Sequence, residues 1–150
     1  MLRFVDGDLV KDKEYRIFCQ QVNCKKVMGA GIAKQIREEY PEVYERYMKK
    51  EPKLGAIQTI RCKDKRYCVN MYSQDEYGTK GRYTDYAAFQ SCLETLEKKL
   101  KISDKSLKIA FPFNIGCGLG GGDWTIILMM LMQFAENVQQ DVYIVRKAQE

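Results

Sequence analysis

Apolar positions along the chain follow two periods. Residues 2–5 and 15–22 carry the β-branched, aromatic and apolar content of strands. Ile32, Ala33, Ile36 and Tyr40 then recur at helical spacing. Val43, Tyr44, Tyr47 and Met48 do so again behind Pro41, a residue suited to a first helical turn. Residues 56–61 and 66–71 read as two strands joined as a hairpin by the polar turn 62–65. Residues 72–83 break both periods, and a long irregular segment in a small domain is either a surface excursion or a flap over a ligand. Thr84 or Asp85 caps a helix that buries Ala88, Cys92, Leu93 and Leu96. A strand over 107–111, a helix carrying Ile127, Met130, Leu131 and Phe134, and a strand over 141–146 complete the chain. Strands and helices alternate with one hairpin. The pattern predicts an α/β fold, a three-layer α/β/α sandwich on a mixed central sheet, with residues 1–150 as one domain.

Two strand-to-helix turns carry glycine. Gly29 and Gly31 open the helix after the second strand, and five of the nine residues from Gly116 to Trp124 are glycine. Glycine loses more conformational freedom on folding than other residues and adds no packing. Two such turns, each able to offer backbone N–H groups at a helix start, suggest a clamp for a pyrophosphate. In an open α/β sheet both would lie at the carboxyl ends of strands, where ligands bind. Asp8, after the turn signal Asp6-Gly7, either caps backbone amides or points into that site.

Composition narrows the chemistry. A net charge of +5 suits a polyanion, but no basic stripe with interleaved aromatics argues for single-stranded nucleic acid. Six cysteines without C-x-x-C spacing, and no histidine, exclude the usual zinc sets, so no metal is expected. The thiols read as free and mostly buried, in a reducing compartment. The N-terminus shows no secretory segment and no apolar run is long enough to span a bilayer, so a cytoplasmic domain without membrane contact is expected. Without histidine, acid–base work falls to Asp, Glu, Lys, Tyr, Cys or ordered water.

Three ordered motifs resemble the macro domain family: Gly7-Asp8-Leu9 after the first strand, Asn23-Cys24 followed by Met28-Gly-Ala-Gly-Ile-Ala33, and Ile115-Gly-Cys-Gly-Leu-Gly-Gly-Gly-Asp-Trp124. The resemblance covers nearly the whole chain. It is closest to the branch of terminal ADP-ribose protein glycohydrolase, the DNA ADP-ribosyl glycohydrolase antitoxins and phage-type ADP-ribose-1''-phosphate phosphatases. It implies an ADP-ribose site. Asp8 would accept from the adenine amino group, with Leu9 beside it, and Asn23 would sit near the distal ribose. Met28, Gly29, Ala30, Gly31 and Ile32 would form the first loop; Ile115, Gly116, Cys117, Gly118, Leu119 and Gly120 would form the second. ADP-ribose enters as ligand or substrate and no cofactor is implied. Nucleic acid enters only as an ADP-ribosylated substrate, and a monomer is expected.

The same resemblance implies hydrolysis at C1'' of ADP-ribose, or binding without turnover. The lysine of the human glycohydrolase type aligns near Gln74, and its loop aspartate aligns with Gly120. Asp123, in the Gly-Gly-x-Asp-Trp pattern, and Lys80, in the irregular segment, are then the candidates for chemistry, with Asn23 holding a water. An Asp before Trp at a helix start is more often a cap than a catalyst. The family's adenine-stacking aromatic in the last strand aligns with Val145 or Arg146.

Overall fold

Alternate residues of each strand face opposite helical layers, and that alternation builds the molecule. In a computed structural model describing residues 1–78 and 81–147, the strands are β1 (Leu2–Asp6), β2 (Ile17–Asn23), β3 (Ile57–Arg61), β4 (Tyr67–Gln74), β5 (Ile109–Pro112) and β6 (Val142–Arg146). The helices are α1 (Gly31–Glu39), α2 (Pro41–Lys49), α3 (Tyr86–Lys101) and α4 (Trp124–Asn137). The sheet order is β1-β6-β5-β2-β4-β3, parallel throughout except for the β3–β4 hairpin.

Ile17 and Cys19 of β2, Ile109 and Phe111 of β5, and Val142 and Ile144 of β6 pack with Phe89 and Leu93 of α3 and Leu131 and Phe134 of α4. Phe18 and Val22, Ala110, and Tyr143 and Val145 face the other way, toward Ile36 of α1 and Val43 and Tyr47 of α2. Burial on both faces is the environment of a parallel sheet sandwiched by helices. The three-layer mixed-sheet sandwich is therefore the observed architecture.

Local chemistry sets the helix boundaries. Pro41 opens α2, and Asp85 rather than Thr84 caps α3, its side chain accepting from Ala88 N at 2.9 Å. Lysines at 98, 99 and 101 lie in the last turn of α3, where cations favour the helix dipole. Several strand bounds differ from expectation by one to three residues, most at the end of β4. β4 runs on to Gln74 because β2 stays paired with it as far as Asn23, so the irregular segment begins only at Asp75. Among the described residues no helix is long and apolar enough to cross a membrane.

The sheet parts at its centre. β2 pairs with β5 only through Ile17 with Ile109 and Phe18 with Ala110, although β2 continues to Asn23. Chain connections lead outward on either side of this boundary, which makes it a topological switch point. The carboxyl ends of β1, β2, β5 and β6 all open on the same edge.

Candidate functional site

A cleft of about 760 Å³ occupies that edge. Its walls are the two glycine turns, residues 29–32 following β2 and residues 115–120 following β5, with the end of β1 at one side. The turns predicted to meet therefore do meet.

Their backbone donors are open. α1 has Ala30 at its N-cap, so it lacks a side-chain cap, and no acidic residue lies in its first turn. The N–H groups of residues 29–33 have no acceptor among the described residues. In the second turn the amides of Ile115, Cys117, Gly121 and Gly122 are used by the carbonyls of Pro112, Asn114, Gly118 and Gly116. Those of Gly116, Gly118, Leu119 and Gly120 have no acceptor among the described residues. Unpaired donors at a cleft, one set at a helix N-terminus, are an arrangement able to hold an anion.

The second turn is held from outside. The Thr84 hydroxyl donates to Gly116 O at 2.6 Å, and the amides of Tyr83 and Thr84 donate to Gly120 O at 2.7 and 3.0 Å. Gln21 Nε2 donates to Thr84 Oγ1 at 3.0 Å and to Gln74 Oε1 at 2.5 Å, and Ser73 Oγ donates to Gln21 Oε1 at 2.6 Å. This network gives several glycines a different reason from the one their sequence pattern suggests. A Cβ on Gly120 would lie 2.6 Å from Thr84 Oγ1, and one on Gly122 would lie 2.7 Å from Gly116 O. Those two are glycine because the loop packs closely on Thr84, Gln21 and its own Gly116 carbonyl. A Cβ on Gly118 would meet nothing within 4 Å, and that residue faces the cleft.

At the other side, Asp8 Oδ1 accepts from Val10 N and Lys11 N at 3.0 and 3.1 Å, while Oδ2 lies 3.9 Å from Lys147 Nζ. Both readings of Asp8 hold at once: one oxygen caps the turn and the residue lines the cleft. Asn23 also lines the cleft, yet its Oδ1 accepts from the amides of Lys25 and Val27 and from the Tyr47 hydroxyl, and its Nδ2 donates to Val27 O. Its side chain is committed to shaping the first turn.

Leu9, Gly29, Ala30, Gly31, Ile32, Ile115, Gly116, Gly118, Leu119 and Gly120 line the cleft as expected. Met28 and Cys117 do not. Met28 is 2% exposed within the α1–α2 layer, and the Cys117 thiol turns inward to Ile115 O at 3.4 Å. Burial pushes that thiol up to about 11, so it stays protonated near neutrality. Asp123 is corrected from cleft residue to cap: it is exposed, lies off the cleft lining, and accepts from Thr125 N at 2.9 Å at the start of α4. Lys80 lies outside the described residues.

Sequence reasoning missed Gln21, Gln74, Phe113, Asn114 and Lys147, all in the lining. Asn114 carried a signal, since Asn is among the few non-glycine residues that tolerate its φ of +63°. In the last strand Val145 lines the cleft, while Arg146 faces away from it and pairs with Asp6 at 3.6 Å. Asp8, Tyr77 and Lys147 are the titratable groups among the described lining residues. No group of three metal-ligating side chains exists among the described residues.

Sheet order, switch-point cleft and paired glycine turns define the macrodomain fold. The macrodomain of Mycobacterium tuberculosis DarG superposes with a TM-score of 0.82 at 21% identity, spanning 98% of this chain and 97% of that one. DarTG of Thermosipho africanus, solved in complex with ADP-ribose, matches with a TM-score of 0.79 at 21% identity, over 99% of this chain and 42% of that chain. In sequence, the uncharacterized 17.5 kDa protein of the tk-vs intergenic region of Enterobacteria phage T4 is 27% identical over 150 residues, with 93% of each chain covered. No protein-family model matches the chain.

Proposed function

We propose that this chain binds ADP-ribose in the cleft. One observation carries the reading: two separate sets of backbone N–H groups without an acceptor among the described residues, at residues 29–33 and at 116 and 118–120, border one cavity. Such donors suit a diphosphate, whose oxygens accept several charge-assisted hydrogen bonds. Asp8 and Leu9 at the end of β1 would take the adenine, and the first turn would take the distal ribose. The complex of the Thermosipho relative with ADP-ribose supports the choice of ligand. Calorimetry with ADP-ribose, ADP and ribose 5-phosphate tests it. ADP-ribose should bind most tightly; no binding, or equal binding of all three, overturns it.

A second reading, hydrolysis at C1'', is favoured by the bare N-terminus of α1. Its donors would stabilise an anion departing from C1'', such as phosphate or a carboxylate. Water would attack C1'', the bond from C1'' to the leaving group would break with its electron pair on that group, and one proton of the water would pass to the departing anion or to solvent. Incubation with ADP-ribose-1''-phosphate and with glutamate-linked and thymidine-linked ADP-ribosyl substrates separates the readings. Release of phosphate or acceptor supports hydrolysis, and silence on all three leaves binding alone. Turnover should survive Asp123→Ala, and its loss in Lys80→Ala would assign Lys80 to the chemistry.

A further inference from the structure

Arg66 is 1% exposed and has no carboxylate within ion-pair distance among the described residues. A buried guanidinium demands partners, and these are unusual. Nε donates to Tyr15 O at 2.9 Å, Nη1 to Val10 O at 2.7 Å and to the Tyr40 hydroxyl at 2.8 Å, and Nη2 to Leu9 O at 2.8 Å. The guanidinium carbon also sits 4.2 Å from the centre of the Phe18 ring. Tyr40 links the guanidinium to a carboxylate, donating to Asp64 Oδ2 at 2.7 Å, where Lys13 also binds at 3.0 Å.

Three of these acceptors are carbonyls of the connection between β1 and β2. None accepts another hydrogen bond from the described residues. Leu9 and Val10 are 3% and 1% exposed, so water cannot replace the arginine there. The same connection carries Asp8 and Leu9 into the cleft. Its upper turn closes through Asp8 itself, which accepts from Val10 N and Lys11 N, and through Asp12 N donating to Asp8 O at 2.8 Å. Arg66 thus pins from below the segment whose top would meet the base.

We propose that Arg66 is a positioning residue for base recognition: it fixes the Asp8–Leu9 edge and so sets the preference for adenine. The inference rests on the ADP-ribose reading. Only a planar fork of five donors meets three carbonyls and a hydroxyl together, so lysine is no substitute. The glycine turns share no hydrogen bond with this network, which makes the expected defect local to the base.

The test measures dissociation constants of the full chain for ADP-ribose, for its inosine counterpart, in which a carbonyl oxygen replaces the adenine amino group, and for base-free ribose 5-diphosphate. The unsubstituted protein should prefer ADP-ribose over the inosine counterpart by about tenfold or more, because a carboxylate would face a carbonyl in the latter. Arg66→Lys should bring that ratio to within about threefold of unity while ribose 5-diphosphate binding stays within about twofold. Tyr40→Phe, which removes one partner of the guanidinium, should fall between, and it carries the test alone if Arg66→Lys does not fold. An unchanged ratio in the folded variants overturns the inference, as does equal loss on all three ligands, the mark of general destabilisation. If the unsubstituted protein binds neither nucleotide, the ADP-ribose reading itself falls and takes this inference with it.

Discussion

The hydroxyl of Thr84 donates a 2.6 Å hydrogen bond to the carbonyl of Gly116, so a residue beside the start of α3 holds the second glycine turn from outside the cleft. Gln21 completes the arrangement by donating to the same hydroxyl. Thr84→Val keeps the shape and deletes both interactions. It should cost about 1–2 kcal/mol of stability, because a carbonyl and an amide lose partners. Denaturant melts measure that loss. Calorimetry should show ADP-ribose binding weakened by about tenfold as the turn loses its fixed geometry. Thr84→Ser, which retains the hydroxyl, should recover most of the affinity; failure to recover would assign the effect to packing.

Two glycines of that turn should respond oppositely to a methyl group. Gly120→Ala forces a Cβ to within 2.6 Å of Thr84 Oγ1 and 2.8 Å of Gly116 O, so the fold itself suffers. Overpacking of this kind costs about 1–3 kcal/mol. Gly118→Ala meets only open space and its φ is not positive, so the melting temperature should stay within about 2 °C. Its methyl would nevertheless project where the ligand's backbone contacts are expected, and affinity should drop. A Gly118→Ala protein with normal affinity would show that the ligand does not touch that amide.

Asp123→Ala should lower stability by about 1 kcal/mol through loss of the α4 cap, with Asp123→Asn or Asp123→Ser restoring most of it. Binding and any turnover should be unchanged. A turnover defect without a stability defect would return Asp123 to the chemistry.

The alternation that built the sheet was legible residue by residue. Phe18 and Val22 against Ile17 and Cys19 already declare two buried faces, and Ile32, Ala33, Ile36 and Tyr40 declare α1. The cleft's location followed from glycine in two strand-to-helix turns. What stayed hidden is non-local. Thr84 lies 32 positions before Gly116, and nothing in its neighbourhood says that it fills the space a side chain at 120 would need. The parting of β2 from β5 after Phe18 depends on register, which sequence period alone does not fix. Asp123 was ambiguous for a different reason: a helix cap and a general base ask for the same residue type.

Alkaline pH should unfold the protein through its thiols. Burial holds Cys92 at about 12 and raises Cys19 and Cys68 well above the ordinary 9.0. In the unfolded chain these groups ionise from about pH 9, while in the folded chain they stay protonated. The folded state then binds more protons than the unfolded state, so stability falls as pH rises. Each such group contributes a slope of about 1.4 kcal/mol per pH unit until its folded value is reached. Below pH 9 the effect vanishes. Urea midpoints measured from pH 7 to 11 should be flat and then decline, and replacing Cys92 with Ala should flatten the decline in proportion.

Tyr47 and Asn23 give the sharpest separation of shaping from chemistry at the first turn. The Tyr47 hydroxyl lies 2.6 Å from Asn23 O and 2.9 Å from Asn23 Oδ1, wholly within the core. Asn23 in turn grips both the amide and the carbonyl of Val27, two residues before Gly29. Tyr47→Phe leaves every atom near the ligand in place and removes one support of Asn23. Stability should fall by about 1–2 kcal/mol, since buried acceptors lose a donor. If Asn23 only shapes the turn, Tyr47→Phe and Asn23→Ala should weaken ADP-ribose binding in the same direction, and any turnover should track occupancy. If Asn23 instead orders the attacking water, Asn23→Ala should depress turnover at saturating substrate far beyond Tyr47→Phe. Parallel titrations and single-turnover assays on the two variants decide between them, because only the second outcome separates the rate at saturation from the affinity.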